Sequence, residues 1–250
     1  MGLRVRYLVL SDLHANVEAL EAVVTAAKDQ YDRIVCCGDL AGYGPDPNPV
    51  IDWVRENVSE VVRGNHDRAC AGLEDLDGFN PVARAASVWT RERLTETNLG
   101  YLRGLMAGPV EVDGFLLAHG SPEDEDEYLM TLMDAAPVLS RMETTPVFFG
   151  HTHLQGGFTW MNGRYERADR PRARDARIEM WLDPDAAWLV NPGSVGQPRD
   201  EDWRAAYALF DSETRVLALC RARYDCGKTA KKIVAGGLPD LLASRLRVGR

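Results

Sequence analysis

The stretch Arg4-Val5-Arg6-Tyr7-Leu8-Val9-Leu10-Ser11-Asp12-Leu13-His14 runs from a buried-strand pattern straight into chemistry-bearing polar residues. Its short apolar run predicts a strand over 4–10. Asn16 is placed to cap a helix whose apolar positions Val17, Leu20, Val23, Val24 and Ala27 follow the 3.6-residue period. The alternation then repeats, with a strand over 33–37, a helix over 48–57 that starts at a Pro-rich turn, and a strand over 60–63. That is a βαβαβ opening, the start of a layered α/β domain.

Outward from this unit the pattern changes. A largely helical stretch over about 71–105 includes a helix over 81–94, with Val82, Ala85, Ala86, Trp89 and Leu94 on its expected buried face, and reads as a cap-like insertion. Strands are predicted over 110–118, 146–149, 156–161, 164–168, 178–181, 188–190, 205–210 and 216–222. Asn162-Gly163 marks a hairpin turn between two of them. The tail over 227–247 returns to helical patterning, broken at Gly236-Gly237 and Pro239. Internal repeats and Ser/Gly-rich linkers are absent, so the expectation is one domain over 1–250. Early βαβ units followed by many strands predict an α/β fold of two facing mixed sheets flanked by helices.

Composition bounds the function classes. A chain of 250 residues and 27.8 kDa with 45% hydrophobic and 27% charged residues buries an ordinary soluble core. Apolar runs stay far short of a membrane span, and the first residues lack a signal-peptide core. Five cysteines without a C-x-x-C pair point to a reducing cytoplasm. The net charge of −9 argues against nucleic acid and anionic lipid as partners. An anionic substrate then needs local positive charge, which a metal supplies.

All five histidines, 14, 66, 119, 151 and 153, stand where a strand-like run ends. Their company is Ser11-Asp12-Leu13-His14, Gly38-Asp39, Gly64-Asn65-His66-Asp67, Ala118-His119-Gly120 and Gly150-His151-Thr152-His153. A lone histidine at a strand end is usually a hydrogen-bonded residue and nothing more. Five of them beside Gly, Asp or Asn read as a site for divalent transition metals, which take imidazole and carboxylate where thiolate is absent. On extended backbone, D-x-H and H-x-H would aim both side chains of each pair the same way. In α/β sheets, ligands collect at the carboxyl ends of strands.

In this order the motifs resemble those of the calcineurin-like metallophosphoesterase superfamily, and Asn191-Pro192-Gly193-Ser194 resembles a loop of its smaller bacterial phosphodiesterase branch. The resemblance implies that Asp12, His14, Asp39 and His153 hold one metal ion, and that Asp39 bridges to a second held by Asn65, His119 and His151. It implies two divalent ions from among Mn, Fe, Co, Ni and Zn, with Mn favoured, a metal-bridging hydroxide as nucleophile, and His66 as the general acid. Such a centre is net positive and suits a phosphate anion.

Protein phosphatases of that superfamily carry an acid three residues after the bridging Asp; here Gly42 stands there. The resemblance therefore implies a phosphodiesterase, or a hydrolase of nucleotides and dinucleoside polyphosphates, acting on a small phosphorylated substrate. A phosphomonoesterase or protein phosphatase, and a non-catalytic scaffold of the same fold, are the alternatives. Asp67 is a poor orienter of His66, since helix neighbours do not face each other. Tyr43-Gly44-Pro45 either shapes the pocket or turns into the next helix. Ser121-Pro122 reads as the start of a helix that carries the acidic run 123–127, in preference to a third-ion or partner site, and the Arg-rich segment 164–177 as a solvated hairpin in preference to a patch that steers polyphosphate or nucleic acid; Asn191 to Pro198 either lies under the metal site or, the preferred reading, is a structural turn. Cys36 and Cys37 pack on opposite faces of their strand.

Overall fold

The computed structural model describes residues 4–172 and 175–250. The opening unit comprises β1 (Arg6–Leu10), α1 (Val17–Ala27), β2 (Arg33–Cys36), α2 (Pro47–Asn57) and β3 (Glu60–Val61). Then come α3 (Asn65–Cys70), α4 (Pro81–Arg91), α5 (Glu96–Gly104), β4 (Val110–Val112), β5 (Phe115–Leu117), α6 (Leu132–Leu139) and β6 (Val147–Phe148). The rest is β7 (Gly156–Met161), β8 (Arg164–Ala168), β9 (Arg177–Trp181), β10 (Ala187–Asn191), β11 (Ala205–Asp211), β12 (Val216–Ala222), α7 (Cys226–Ala235) and α8 (Asp240–Leu246). The strands form two six-stranded sheets, ordered β3-β2-β1-β11-β12-β9 and β4-β5-β6-β10-β7-β8. In each sheet a parallel trio, β3-β2-β1 or β5-β6-β10, is extended by antiparallel strands.

Side-chain alternation explains the layers. Tyr7 and Val9 of β1 and Cys37, just beyond β2, face inward and meet Phe115, Phe148 and Val190 of the other sheet. Leu8, Leu10 and Cys36 face outward and pack on α1 and α2. Leu189 and Val147 cover the opposite flank with α6. The result is the two-sheet sandwich flanked by helices that the pattern predicts. Asn16 caps α1 by accepting from the Ala19 N–H at 3.1 Å. Asn162 and Gly163 take positive φ in the turn between β7 and β8. No helix among the described residues is long and apolar enough to cross a membrane.

Four local expectations need correction. The run 110–118 is a hairpin, because Asp113 and Gly114 adopt positive φ and turn β4 back on β5. Ser121-Pro122 starts no helix: the Ser121 hydroxyl accepts from the Glu123 and Asp124 N–H groups in a turn, and α6 begins only after the Thr131 cap. The acidic run is drawn instead to arginines distant in sequence, Glu125 to Arg63 at 2.7 Å and to Arg68, Asp126 to Arg68, and Glu123 to Arg141. Finally, α4 buries Ala83, Ala86, Ser87 and Thr90. Ala85 is exposed and Leu94 lies beyond the helix end. The buried stripe is small and polar, so hydrophobicity does not reveal it.

Candidate metal centre

Every predicted ligand sits just past the end of a parallel strand or in the loop that follows it. Asp12 and His14 follow β1, Asp39 follows β2, Asn65 opens α3 after β3, His119 follows β5, and His151 and His153 follow β6. The backbone is not extended there. Asp12, His14, Asp39, His151 and His153 have φ of 52°, 43°, 56°, 64° and 60°. The expectation that D-x-H and H-x-H converge through strand alternation is therefore wrong. Left-handed turns aim them, at roughly 1–2 kcal/mol per residue. Backbone bonds between strand-end loops hold these turns in place, including Asp12 N–H to Gly38 O at 2.9 Å and His14 N–H to Asp39 O at 3.0 Å. Asp67 adds to this by accepting from the N–H groups of Asp39, Leu40, Ala41 and Gly64 at 2.8–3.1 Å. It fastens the Asp39 loop and, as expected, does not orient His66.

The ligand atoms form two groups that share Asp39. One is Asp12, His14, Asp39 and His153, the other Asp39, His119 and His151, all but fully buried and with the atoms of each group within 4.8 Å of one another. Asp39 Oδ2 stands 3.6 Å from His14 Nε2 and 3.5 Å from His119 Nε2, between the groups. Asn65 Oδ1 joins the second at 3.2 Å from His119 Nε2 and 3.1 Å from His151 Nδ1.

The imidazole tautomers test whether this cluster fits metal. His14, His119 and His153 donate Nδ1–H to the carbonyls of Ala41, Cys37 and Gln197 at 2.9, 2.8 and 2.6 Å. A carbonyl only accepts, so in the neutral ring each Nε2 carries a lone pair. His14 Nε2 and His153 Nε2 face each other at 3.0 Å, lone pair to lone pair. His151 is turned the other way. Its Nε2–H donates to the Asp126 carbonyl at 3.2 Å and its Nδ1 faces His119 Nε2 at 3.2 Å. Lone pairs and carboxylate oxygens converging in a buried space repel unless a cation lies between them. The residues present fit metal ions.

Burial lowers the pKa of His14 and His151 to about 3 and holds His153 well below the usual range, so all three are neutral, as ligands must be. At His119 burial also opposes charge, but the Asp39 carboxylate outweighs it and lifts the pKa to about 10. Burial raises Asp12 to about 7. In the metal-free protein a proton on His119 therefore supplies the charge that a metal would supply. Metal binding at neutral pH should expel that proton, and affinity should fall as pH falls, because protons compete for His119 and Asp12. Calorimetric titration of metal in buffers of different ionisation enthalpy reads the release directly; a signal independent of buffer contradicts it.

His66 lies at the mouth of the cluster without being drawn into either ligand group. Its ring packs 4.3 Å from Tyr43, 5.1 Å from His14 and 5.4 Å from Phe79, and its buried Nδ1 has no hydrogen-bond partner. The structure explains Gly42. With φ of +81°, a Cβ there would lie 2.7 Å from His66 Nδ1, so any side chain at position 42, acidic or otherwise, would strain the backbone and push that ring aside. Gly42→Ala should cost about 1–3 kcal/mol of stability through backbone strain and displace His66. Denaturant unfolding and turnover should register the two losses together, and a variant of unchanged stability and activity would refute the contact.

Residues that sequence reading left in the background complete the site. Tyr43 is pocket wall and turn at once, with Tyr43, Asn65, His66, Phe79, Tyr128 and His151 lining a 300 Å³ cleft. Tyr128 stacks on His151 at 3.8 Å. Of the insertion over 71–105, only the part from Glu74 to Ala83 borders the cleft. Leu99 and Leu102 of α5 pack into the core shared with α2. Behind Tyr43 stand Ile233 and Leu246 of α7 and α8. The Asn191 to Pro198 turn lies under the metal ligands: Asn191 donates to Gly150 O, Ser194 to Asp12 O, and Gln197 O accepts from His153. Arg199 follows it, its guanidinium 5.5 Å over the Tyr43 ring and its charge adding to burial in lowering His14, His66 and His151.

A two-sheet sandwich with Asp/His ligands converging from the ends of its parallel strands is the architecture of a metallophosphoesterase. The chain belongs to the calcineurin-like phosphoesterase superfamily, whose domain profile matches residues 5–215. It is similar to an uncharacterised protein of Methanocaldococcus jannaschii, 32% identical over 246 residues and 97% of both chains. Among solved structures it is similar to a metallophosphoesterase from Sphaerobacter thermophilus, with 35% identity, a TM-score of 0.83, and 99% and 100% of the two chains covered. A hypothetical protein from Pyrococcus horikoshii, 19% identical with a TM-score of 0.76 over 98% of each chain, shares the fold.

Proposed function

We propose that this protein is a phosphoesterase working with two divalent ions, and that it cleaves phosphodiesters or nucleotide anhydrides such as dinucleoside polyphosphates. The observation that carries the two-ion reading is the position of Asp39 Oδ2, between the imidazoles of two ligand groups. When bound, such ions supply Lewis acidity toward phosphoryl oxygens and an activated water. The chain's own contribution is to gather seven ligands at the strand ends. Asp12, His14, Asp39 and His153 serve one position; Asp39, Asn65, His119 and His151 serve the other. Tyr43, Phe79 and Tyr128 wall the approach with aromatic surface. Gly42 leaves His66 without a carboxylate partner, which supports diesters and anhydrides over phosphoproteins.

His66 is proposed to donate a proton to the leaving oxygen. Burial lowers its pKa to about 4, so it is neutral at rest and must take up a proton when an anionic phosphate arrives. The low pKa and the unpartnered Nδ1 also favour a second reading, in which a neutral His66 only hydrogen-bonds the phosphate. For the function as a whole, the metal-loaded protein should hydrolyse bis(p-nitrophenyl) phosphate and nucleotide anhydrides faster than phosphopeptides. A phosphopeptide outranking every diester and nucleotide overturns the substrate class. Failure to hydrolyse any aryl diester, monoester or nucleotide points to a scaffold.

A further inference from the structure

A groove of about 640 Å³ opens beside the metal cluster, lined by Gln155, Arg167, Arg170, Arg172, Arg199 and Asp200 among others. It adjoins the cluster at two places. The Arg199 backbone N–H donates to the His153 carbonyl at 3.2 Å, and Met130 in the groove wall lies two residues from the Tyr128 that stacks on His151. Part of the Arg-rich segment is thus a groove wall, although Arg164 and Arg177 lie outside it and Arg174 is outside the described residues.

The charges in the groove are unevenly matched. Asp200 is engaged by the buried Arg221, and Glu201 pairs with Arg250 at 2.8 Å. Among the described residues Arg167, Arg172 and Arg199 make no ion pair, while Arg170 stands 3.6 Å from Asp200. Two buried atoms on consecutive residues also lack partners: Arg199 Nε, a donor, and Asp200 Oδ1, an acceptor on a side chain only 1% exposed. Buried polar atoms are normally satisfied, and arginines without carboxylates suit phosphate oxygens. A ligand that satisfies this surface carries both phosphate oxygens and a hydroxyl or amine donor, and the volume suits one nucleotide.

We infer that this groove is a second subsite, which takes the distal phosphate and ribose of a nucleoside polyphosphate whose scissile phosphate sits at the metal cluster. The inference rests on the phosphoesterase reading above. It places phosphate oxygens on Arg167, Arg170 and Arg199 and a ribose hydroxyl on Asp200. Because Arg167 and Arg170 are exposed, the double variant R167Q/R170Q should fold normally, with an unchanged melting temperature.

In the metal-loaded protein, kcat/KM for diadenosine tetraphosphate should fall at least about tenfold in that variant, while bis(p-nitrophenyl) phosphate changes less than about twofold. An equal fall on both substrates, or no fall on either, overturns the subsite. If the wild type hydrolyses neither, the phosphoesterase reading fails, and the groove is judged by calorimetric titration with ADP. A Kd at least about tenfold weaker in the variant supports the groove, and an unchanged Kd or absent binding to wild type overturns it.

Discussion

Asp39→Asn should leave the protein with almost no bound metal and lower hydrolysis by more than about 10³-fold, although it changes one oxygen to an amide nitrogen. The carboxylate has two duties. Oδ1 accepts the His66 N–H at 2.9 Å, and Oδ2 faces His14 and His119. An asparagine has one oxygen for both, and its amide protons would point at a ligand position. Two divalent ions about 3.5–4 Å apart repel by roughly 15–20 kcal/mol even at an effective dielectric of about 20, so a shared anion is essential to holding the pair. His14→Ala removes a ligand from one group only and should leave about one ion per chain. Elemental analysis after reconstitution reads all three proteins. Wild type returning a single ion would show that Asp39 bridges nothing.

His66→Ala should separate proton donation from metal binding. The ring lies outside both ligand groups, so metal content stays near that of wild type. A general acid contributes about 10²–10⁴ in rate, but only where the leaving oxygen is basic enough to need a proton. The loss on p-nitrophenyl esters should be below about tenfold, since that phenolate leaves readily, and on alkyl or nucleoside esters it should approach the full 10²–10⁴ range. His151→Ala, by contrast, removes a ligand and should fail on both substrates together with its metal. Equal losses from His66→Ala on aryl and alkyl esters, with chemistry rate-limiting for both, assign His66 to phosphate positioning. That outcome agrees with the neutral imidazole that burial favours.

What could be read from the chain was what local pattern controls. Short apolar runs locate the strands and the period-3.6 runs most helices, because each reports burial within one element. The α4 stripe escapes because Ser87 and Thr90 are polar, and the β4–β5 hairpin because apolar residues on both sides of Asp113-Gly114 read as one strand across a turn pair. The seven ligand residues were legible as motifs at strand ends, where parallel strands must open into loops. The acidic run is not legible locally, because its partners Arg63 and Arg68 lie far back in the sequence, where no local period connects them.

The sequence by itself therefore determined the layered α/β class, the identity of the residues that gather at the strand ends, and the absence of an acid at position 42. Only the tertiary structure decided how those residues meet. His14 and His153, 139 positions apart, are brought to 3.0 Å by the facing of two sheets, and left-handed turns aim them, stabilised by contacts between loops that no neighbour in the chain supplies. The carbonyls that set each imidazole's tautomer, the four N–H groups gathered by Asp67, and the place of Arg199 between cleft and groove have the same origin. Side-chain type and spacing follow from chemistry within a few residues. Tautomer, charge state and convergence depend on which distant backbone and charges close around each group, and folding supplies those.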